Sequence, residues 1–190
     1  MAGTKVHLFV DNSNVKIEAG RLLYAKRHNG GRRGTQVDDS YELDWGKFLH
    51  LVKSRGNRLL AQVPVLYGSR PPPDDSIWNE IRNEGFDVRL FDRNIRDKEK
   101  GVDMEMGMDV IERLFEVDRP ETIVIAAGDG DFKGMISRAL KRNWSVEVWF
   151  WGNAASDMKV AADFVDLDAA FEYLRKGGKV PFPPDSYIRR

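Results

Sequence analysis

The sequence predicts an α/β protein, a three-layer α/β/α sandwich around a central, mostly parallel sheet, and three observations lead there. Short apolar runs rich in β-branched residues alternate with longer stretches of helical period. Thr122 to Ala127 is mostly apolar, as a strand covered on both faces by helices must be. Two of the runs also end alike, in aspartates and small turn-forming residues that open a helix: Asp11-Asn-Ser-Asn14 after Lys5 to Val10, and Gly128-Asp-Gly-Asp131 after Ala127.

Taken in order, Lys5 to Val10 is the first strand and Val15 to Arg27 the first helix, with Ile17, Leu22, Leu23 and Ala25 on its apolar positions. His28 to Ser40, with glycines at 30, 31 and 34 and the pair Arg32-Arg33, is a loop: a solvated insertion, or a basic flap over the active edge. Tyr41 to Arg55 is a helix turning Leu43, Phe48, Leu49, Leu51 and Val52 inward, and Arg58 to Tyr67 is the second strand. Pro71-Pro72-Pro73 breaks regular structure, and Asp74-Asp75-Ser76 caps a helix carrying Ile77, Trp78 and Ile81. Gly85 ends that helix, and Asp87 to Phe91 alternates as a third strand.

The charged segment Asp92 to Lys100 then leads through Gly101-Val102-Asp103 into another helix. There Met104, Met108, Ile111 and Phe115, extended by Val102, Met106 and Leu114, form an apolar stripe expected to face the core. Glu105, Asp109, Glu112 and Glu116 fall on a separate stripe, expected to be solvated. After the central strand come a helix over Phe132 to Arg142, a strand over Ser145 to Trp151, a short helix through Asp157 to Ala162, a strand over Phe164 to Leu167 and a helix over Ala169 to Arg175. This organisation is one domain over residues 1–176 and a glycine- and proline-rich tail over 177–190.

Composition sets the bounds. A chain of 190 residues suits one domain, which at that size buries about 70% of its unfolded surface. Its 30 basic and 30 acidic residues cancel, so an anionic partner must be drawn by local basic patches. The absence of cysteine excludes a disulfide framework. No apolar run approaches the roughly 18 residues of a membrane span, and the opening Met-Ala-Gly-Thr-Lys has no signal-peptide character. An intracellular protein, cytoplasmic by default and without a membrane partner, is the expectation.

Two matched strand ends carry the chemistry. If the strands ending at Asp11 and Asp129 are neighbours, their backbones lie about 4.8 Å apart and both carboxylates face one crevice. Two anions at such a separation repel by about 3 kcal/mol at an effective dielectric near 20, so a proton or a cation belongs between them. Carboxylate oxygens without cysteine, in a chain with 3 histidines, suit Mg²⁺ or Mn²⁺ better than zinc. Taken singly, the Gly128 to Asp131 stretch reads equally as a βα turn in which Asp131 caps the next helix. Asp103 shares a helix line with Gly107 and can lean over the sheet edge as a third carboxylate; it serves equally as a dipole-compensating residue of the first turn.

The ordered set Val-Asp11-Asn-Ser-Asn14, Lys100-Gly-Val-Asp103, Ala-Gly128-Asp-Gly-Asp131-Phe, Val146-Glu-Val-Trp and Ala161-Ala-Asp-Phe-Val-Asp-Leu resembles the NYN domain of the LabA-like group within the PIN-like nucleases, over roughly residues 5 to 168. The resemblance implies a metal-dependent ribonuclease in which Asp11, Asp103, Asp129 and Asp131 hold Mg²⁺ or Mn²⁺ and Asn14 supports the site. The family often carries an acid at the position of Asp109, which the helix faces place away from Asp103. RNA, single-stranded or in loops, is the implied partner, with Arg93, Arg96, Lys100 and Lys133 as candidate phosphate contacts. The glycine-arginine loop and the triproline depart from the family pattern. No accessory RNA-binding module is evident, which leaves specificity to a homodimer or a protein partner.

Two other functions are weighed against this one. Gly-Asp-Gly-Asp is also similar to the acidic motif of haloacid dehalogenase-type phosphatases, but their first strand needs a second aspartate where this chain has Ser13. A PIN-like module that binds RNA without cutting it would not need all four aspartates.

Overall fold

The computed structural model describes residues 3–70, 75–92 and 100–182. Its strands are β1 (Thr4–Asp11), β2 (Arg58–Leu60), β3 (Val65–Arg70), β4 (Asp87–Asp92), β5 (Thr122–Ala126), β6 (Ser145–Phe150) and β7 (Asp163–Asp166). Its helices are α1 (Asn12–His28), α2 (Trp45–Ser54), α3 (Ser76–Asn83), α4 (Lys100–Glu116), α5 (Lys133–Lys141), α6 (Ser156–Ala161) and α7 (Phe171–Leu174). All named strand pairs are parallel, in the order β4-β3-β1-β5-β6-β7, with β2 beside the first half of β1.

The sequence reading of Arg58 to Tyr67 as one strand is corrected. The stretch splits into β2, in register Thr4↔Arg58, and β3, in register Phe9↔Val65, on the same side of β1. Pro64 lies in the gap and has no N–H to give to a ladder. Its carbonyl instead accepts the amide of Asp87 at 2.9 Å, which sets the start of β4.

From β1 the chain winds out through β3 to β4, then returns to place β5 on the other side of β1. The direction of winding therefore reverses between β1 and β5, the place where open α/β sheets bind ligands at their carboxyl ends. Adjacent strand residues point to opposite faces. A Cβ on Gly68 would meet the Trp78 ring of α3 at 2.6 Å, whereas the Tyr67 hydroxyl donates to Asp109 of α4. Thus α3 and α4 cover opposite faces of β3. Beside α3, Trp45 of α2 packs edge-on against Phe86, and beside α4 lies α5.

Helix α4 corrects the expected apolar face. Val102, Met106, Val110 and Leu114 are the buried residues, while Met104, Met108 and Phe115 are 60%, 56% and 65% exposed. The helix has apolar stripes on two opposite sides, so period alone cannot say which one faces the sheet. The choice is made by Asp109, which accepts from Tyr67 on β3 and pairs with Arg89 on β4. The same contacts remove Asp109 from the solvated stripe.

At the amino end of the sheet, Glu147 of β6 is buried and takes bonds from Arg58, Arg55 and, at 2.7 Å, the indole N–H of Trp149. The acid of the Val146-Glu-Val-Trp motif is therefore a structural tie. In the tail, the Phe182 ring meets Tyr173 edge-on at 5.4 Å.

His7 of β1 is buried, with Nε2 2.6 Å from Glu121. Burial holds its pKa below the ordinary value, and the Glu121 bond offsets that only in part. Burial would raise Glu121, but His7 and Lys5 prevail and lower it. A histidine with a lowered folded pKa binds fewer protons folded than unfolded, so its contribution to stability is lost as pH falls below about 6.5. The lowered Glu121 loses stability in the same direction, lower still. The melting temperature should fall between pH 7.5 and 5.5, and His7→Gln should flatten that fall. A melting temperature unchanged over this range refutes the assignment.

Candidate active site

Each site residue is placed by a strand end or a helix start. Asp11 is the last residue of β1 and the N-cap of α1, its Oδ1 accepting the amide of Asn14 at 3.0 Å. Asn14, one turn into α1, carries its Oδ1 to the amide of Gly128 at 2.9 Å. One side-chain bond thus joins the turn after β1 to the turn after β5. Asp129 is the N-cap of a single 3₁₀ turn, Gly130–Phe132, and accepts the amide of Asp131 at 3.1 Å. The capping aspartate is therefore Asp129, where the sequence reading placed Asp131. Asp103 stands in the first turn of α4.

One carboxylate oxygen from each of Asp103, Asp129 and Asp131 lies within 4.8 Å of the others. That spacing and an all-oxygen donor set suit a hard divalent cation. Among the described residues, Asp11 is not part of this close group. It lines, with Asp103 and Asp129, one small cleft of about 50 Å³, whose other walls are Ser13, Asn14, Ile17, Ser69 and Val102. The β1–β5 pairing expected from the two strand ends is present, in register Val10↔Ala126.

Gly128 is required for a reason the sequence does not reveal. Its backbone is ordinary, but a Cβ there would fall 2.1 Å from the Phe150 ring of β6. The ring closes under the turn, and the carbonyl of Gly128 accepts the amide of Ala155 at 3.0 Å.

Of the basic candidates, Arg93 and Arg96 lie outside the described residues, and Lys100 opens α4. Lys133 follows the aspartate turn and pairs with Asp157 at 2.7 Å, both side chains more than half exposed. An exposed pair of this kind is worth about 0–1 kcal/mol and yields readily to a phosphate. In the glycine-arginine loop, Arg33 is tied to Asn153 at 2.6 Å and to Asp168, docking the loop on the rim beyond β6 and β7.

Sequence reasoning missed Ser69 and Lys16. Ser69 is buried and lines both the acidic cleft and an adjoining groove of about 230 Å³ that also contains Lys16, Ile77 and Trp78. The signal was register: Asp11 pairs with Tyr67, so Ser69 must stand just past the same rim.

Asp109 ties α4 to β3 and β4 through Tyr67 and Arg89. Burial, then Asp109 itself, raises the pKa of the Tyr67 phenol, which stays protonated as donor to that carboxylate. Asp109→Ala should cost about 1–3 kcal/mol by orphaning a buried hydroxyl, whereas Tyr67→Phe should cost about 1 kcal/mol. Urea unfolding of both single variants and the double variant checks this, and strictly additive losses would show the bond to be unimportant.

A doubly wound parallel sheet with carboxylates gathered outside its two central strands defines a class of α/β protein with an acidic site at the winding reversal. The NYN domain family model matches residues 5–168, and the chain belongs to that family, within the PIN-like nuclease superfamily. It is similar in fold to the crystal structure of a protein of unknown function, VPA0982 from Vibrio parahaemolyticus RIMD 2210633. The TM-score is 0.65 at 19% identity, covering 88% of this chain and 94% of that one. No curated protein matches the chain. Among the described residues, no helix is long and apolar enough to cross a membrane.

Proposed function

We propose that the protein is a metal-dependent ribonuclease that hydrolyses RNA phosphodiester bonds at the carboxyl edge of β1 and β5. The observation that carries this reading is the gathering of Asp103, Asp129 and Asp131 within 4.8 Å, beside a cleft that Asp11 lines together with Asp103 and Asp129. These three would hold Mg²⁺ or Mn²⁺, and Asp11, at the end of β1, would add a fourth carboxylate from the lining of the same cleft. A bound divalent cation supplies charge stabilisation at the scissile phosphate and lowers the pKa of the attacking water.

The chain's own residues do the rest. Asn14 fixes the width of the cleft through its bond to Gly128, so the carboxylates are held in place before substrate arrives. The groove past Ser13, Ser69 and Lys16 offers a path for the strand on one side of the cut, with Lys16 against its phosphates. Lys133, with Arg93, Arg96 and Lys100, supplies sequence-independent phosphate contacts, so affinity should fall steeply with salt. Water adds to phosphorus in line as the P–O3′ bond breaks, leaving a 5′-phosphate and a 3′-hydroxyl.

One preparation assayed on single-stranded RNA and on a small phosphate ester, with chelator or with Mn²⁺, tests the reading. The expected result is RNA cut only with metal and the ester untouched. Ester turnover would favour a phosphatase; RNA bound but intact in Mn²⁺ would favour a non-cleaving module. Either overturns the proposal.

A further inference from the structure

The outward face of α4 carries Met104, Met108 and Phe115, all more than half exposed, with Ile111 partly buried beside them. Burying the helix does not require this row, because Val102, Met106, Val110 and Leu114 already make the contact with the sheet. Positions 104, 108, 111 and 115 have the spacing of a seam between two paired helices. The row extends about 16 Å along the helix. Scattered exposed apolar residues need no explanation, but a continuous row of large ones marks a contact surface.

We infer that this face pairs with α4 of a second copy of the chain, in a parallel two-fold dimer. Charge selects both the occupant and the direction. Glu105 and Glu112 flank the row on one side. On the other, the end of α5 brings Arg142 over the Phe115 ring, its guanidinium carbon 3.7 Å from the centroid. A two-fold axis along the helices sets the acidic flank of each copy against the basic flank of the other. An axis across them sets Glu105 and Glu112 against the same acids, a like-charge arrangement that disfavours the antiparallel pair. The net charge of +0 puts no long-range repulsion between copies.

One helix face and its flanks fall short of the roughly 800 Å² per partner of a standard interface, so the dimer should dissociate in about the micromolar range. Parallel pairing puts both α4 amino ends, each with its Asp103, on one side, so the two clefts open on one surface. The inference does not depend on the nuclease reading, and its test uses no activity.

Sedimentation velocity of the full chain from about 1 to a few hundred micromolar should show a monomer–dimer equilibrium. Met108→Glu should weaken it by roughly thirtyfold or more without lowering the melting temperature, since Met108 is 56% exposed and lies outside the buried core. Glu112→Arg and Arg142→Glu should each weaken the dimer, and the two together should restore it. A monomer at every concentration overturns the proposal, as does a dimer indifferent to Met108→Glu. A double charge variant weaker than either single one overturns the parallel arrangement. If the protein is monomeric and Met108→Glu instead loses affinity for RNA, the face is a nucleic-acid contact and the second copy is wrong.

Discussion

Asp129→Asn should abolish metal-dependent cleavage of RNA and leave the fold intact. A metal's stabilisation of transition-state charge is worth several kcal/mol, so the loss should be about a thousandfold or more. Asparagine keeps an Oδ1 to accept the amide of Asp131, bonded at 3.1 Å in the parent, so the 3₁₀ turn survives. It also removes one of three charges whose oxygens lie within 4.8 Å. That relieves repulsion on the order of 1 kcal/mol after solvent screening. Calorimetry should therefore find the metal-free variant melting no lower than the parent, with only the parent gaining stability as Mn²⁺ is added. A variant that melts much lower without metal and still cuts RNA would make Asp129 a cap and nothing more. Asp11→Asn should lose activity similarly, since Oδ1 can still take the Asn14 amide.

The second large effect is steric. Gly128→Ala sets a methyl group 2.1 Å from the buried Phe150 ring, and neither backbone nor ring has room to yield. Overpacking of this kind costs about 1–3 kcal/mol. The displaced turn also carries the Asn14 bond, so cleavage should fall along with stability. Phe150→Leu in the same chain should recover part of the loss by freeing the space. Urea unfolding of both single variants and the double variant decides the matter: purely additive losses would mean that the ring is not what excludes the methyl group.

The sheet and its rim were legible in the sequence because strand ends and turn residues are local signals. Asp11 and Asp129 could be set side by side from their two runs alone, and β1 does lie against β5. Which side of a helix faces inward is not local when both sides are apolar, and for that reason the periodicity of α4 points to the wrong face. Asp109 followed the same error, since its partners Tyr67 and Arg89 are on strands far away in sequence. In sequence Gly128 reads only as a small turn-forming residue, whereas the constraint on it is the ring of a residue on the next strand. Cap and ligand are likewise indistinguishable in Gly-Asp-Gly-Asp until the turn is built, and the cap that the sequence suggests at Asp131 is formed by Asp129.

The pairing of β1 with β5, from Val6↔Thr122 to Val10↔Ala126, also has a consequence for synthesis. In a growing chain β1 (Thr4–Asp11) is made well before β5 (Thr122–Ala126), the strand that leads to Asp129 and Asp131. Contacts of such long sequence separation form late and slowly. Until then β1 is flanked by β2 and β3 alone, its other edge bare, and the carboxylates that would share an ion belong to no common structure. A chain that has not yet reached β5 therefore cannot gather Asp103, Asp129 and Asp131 into one group. A product that ends before β5 should be prone to aggregate through that open edge.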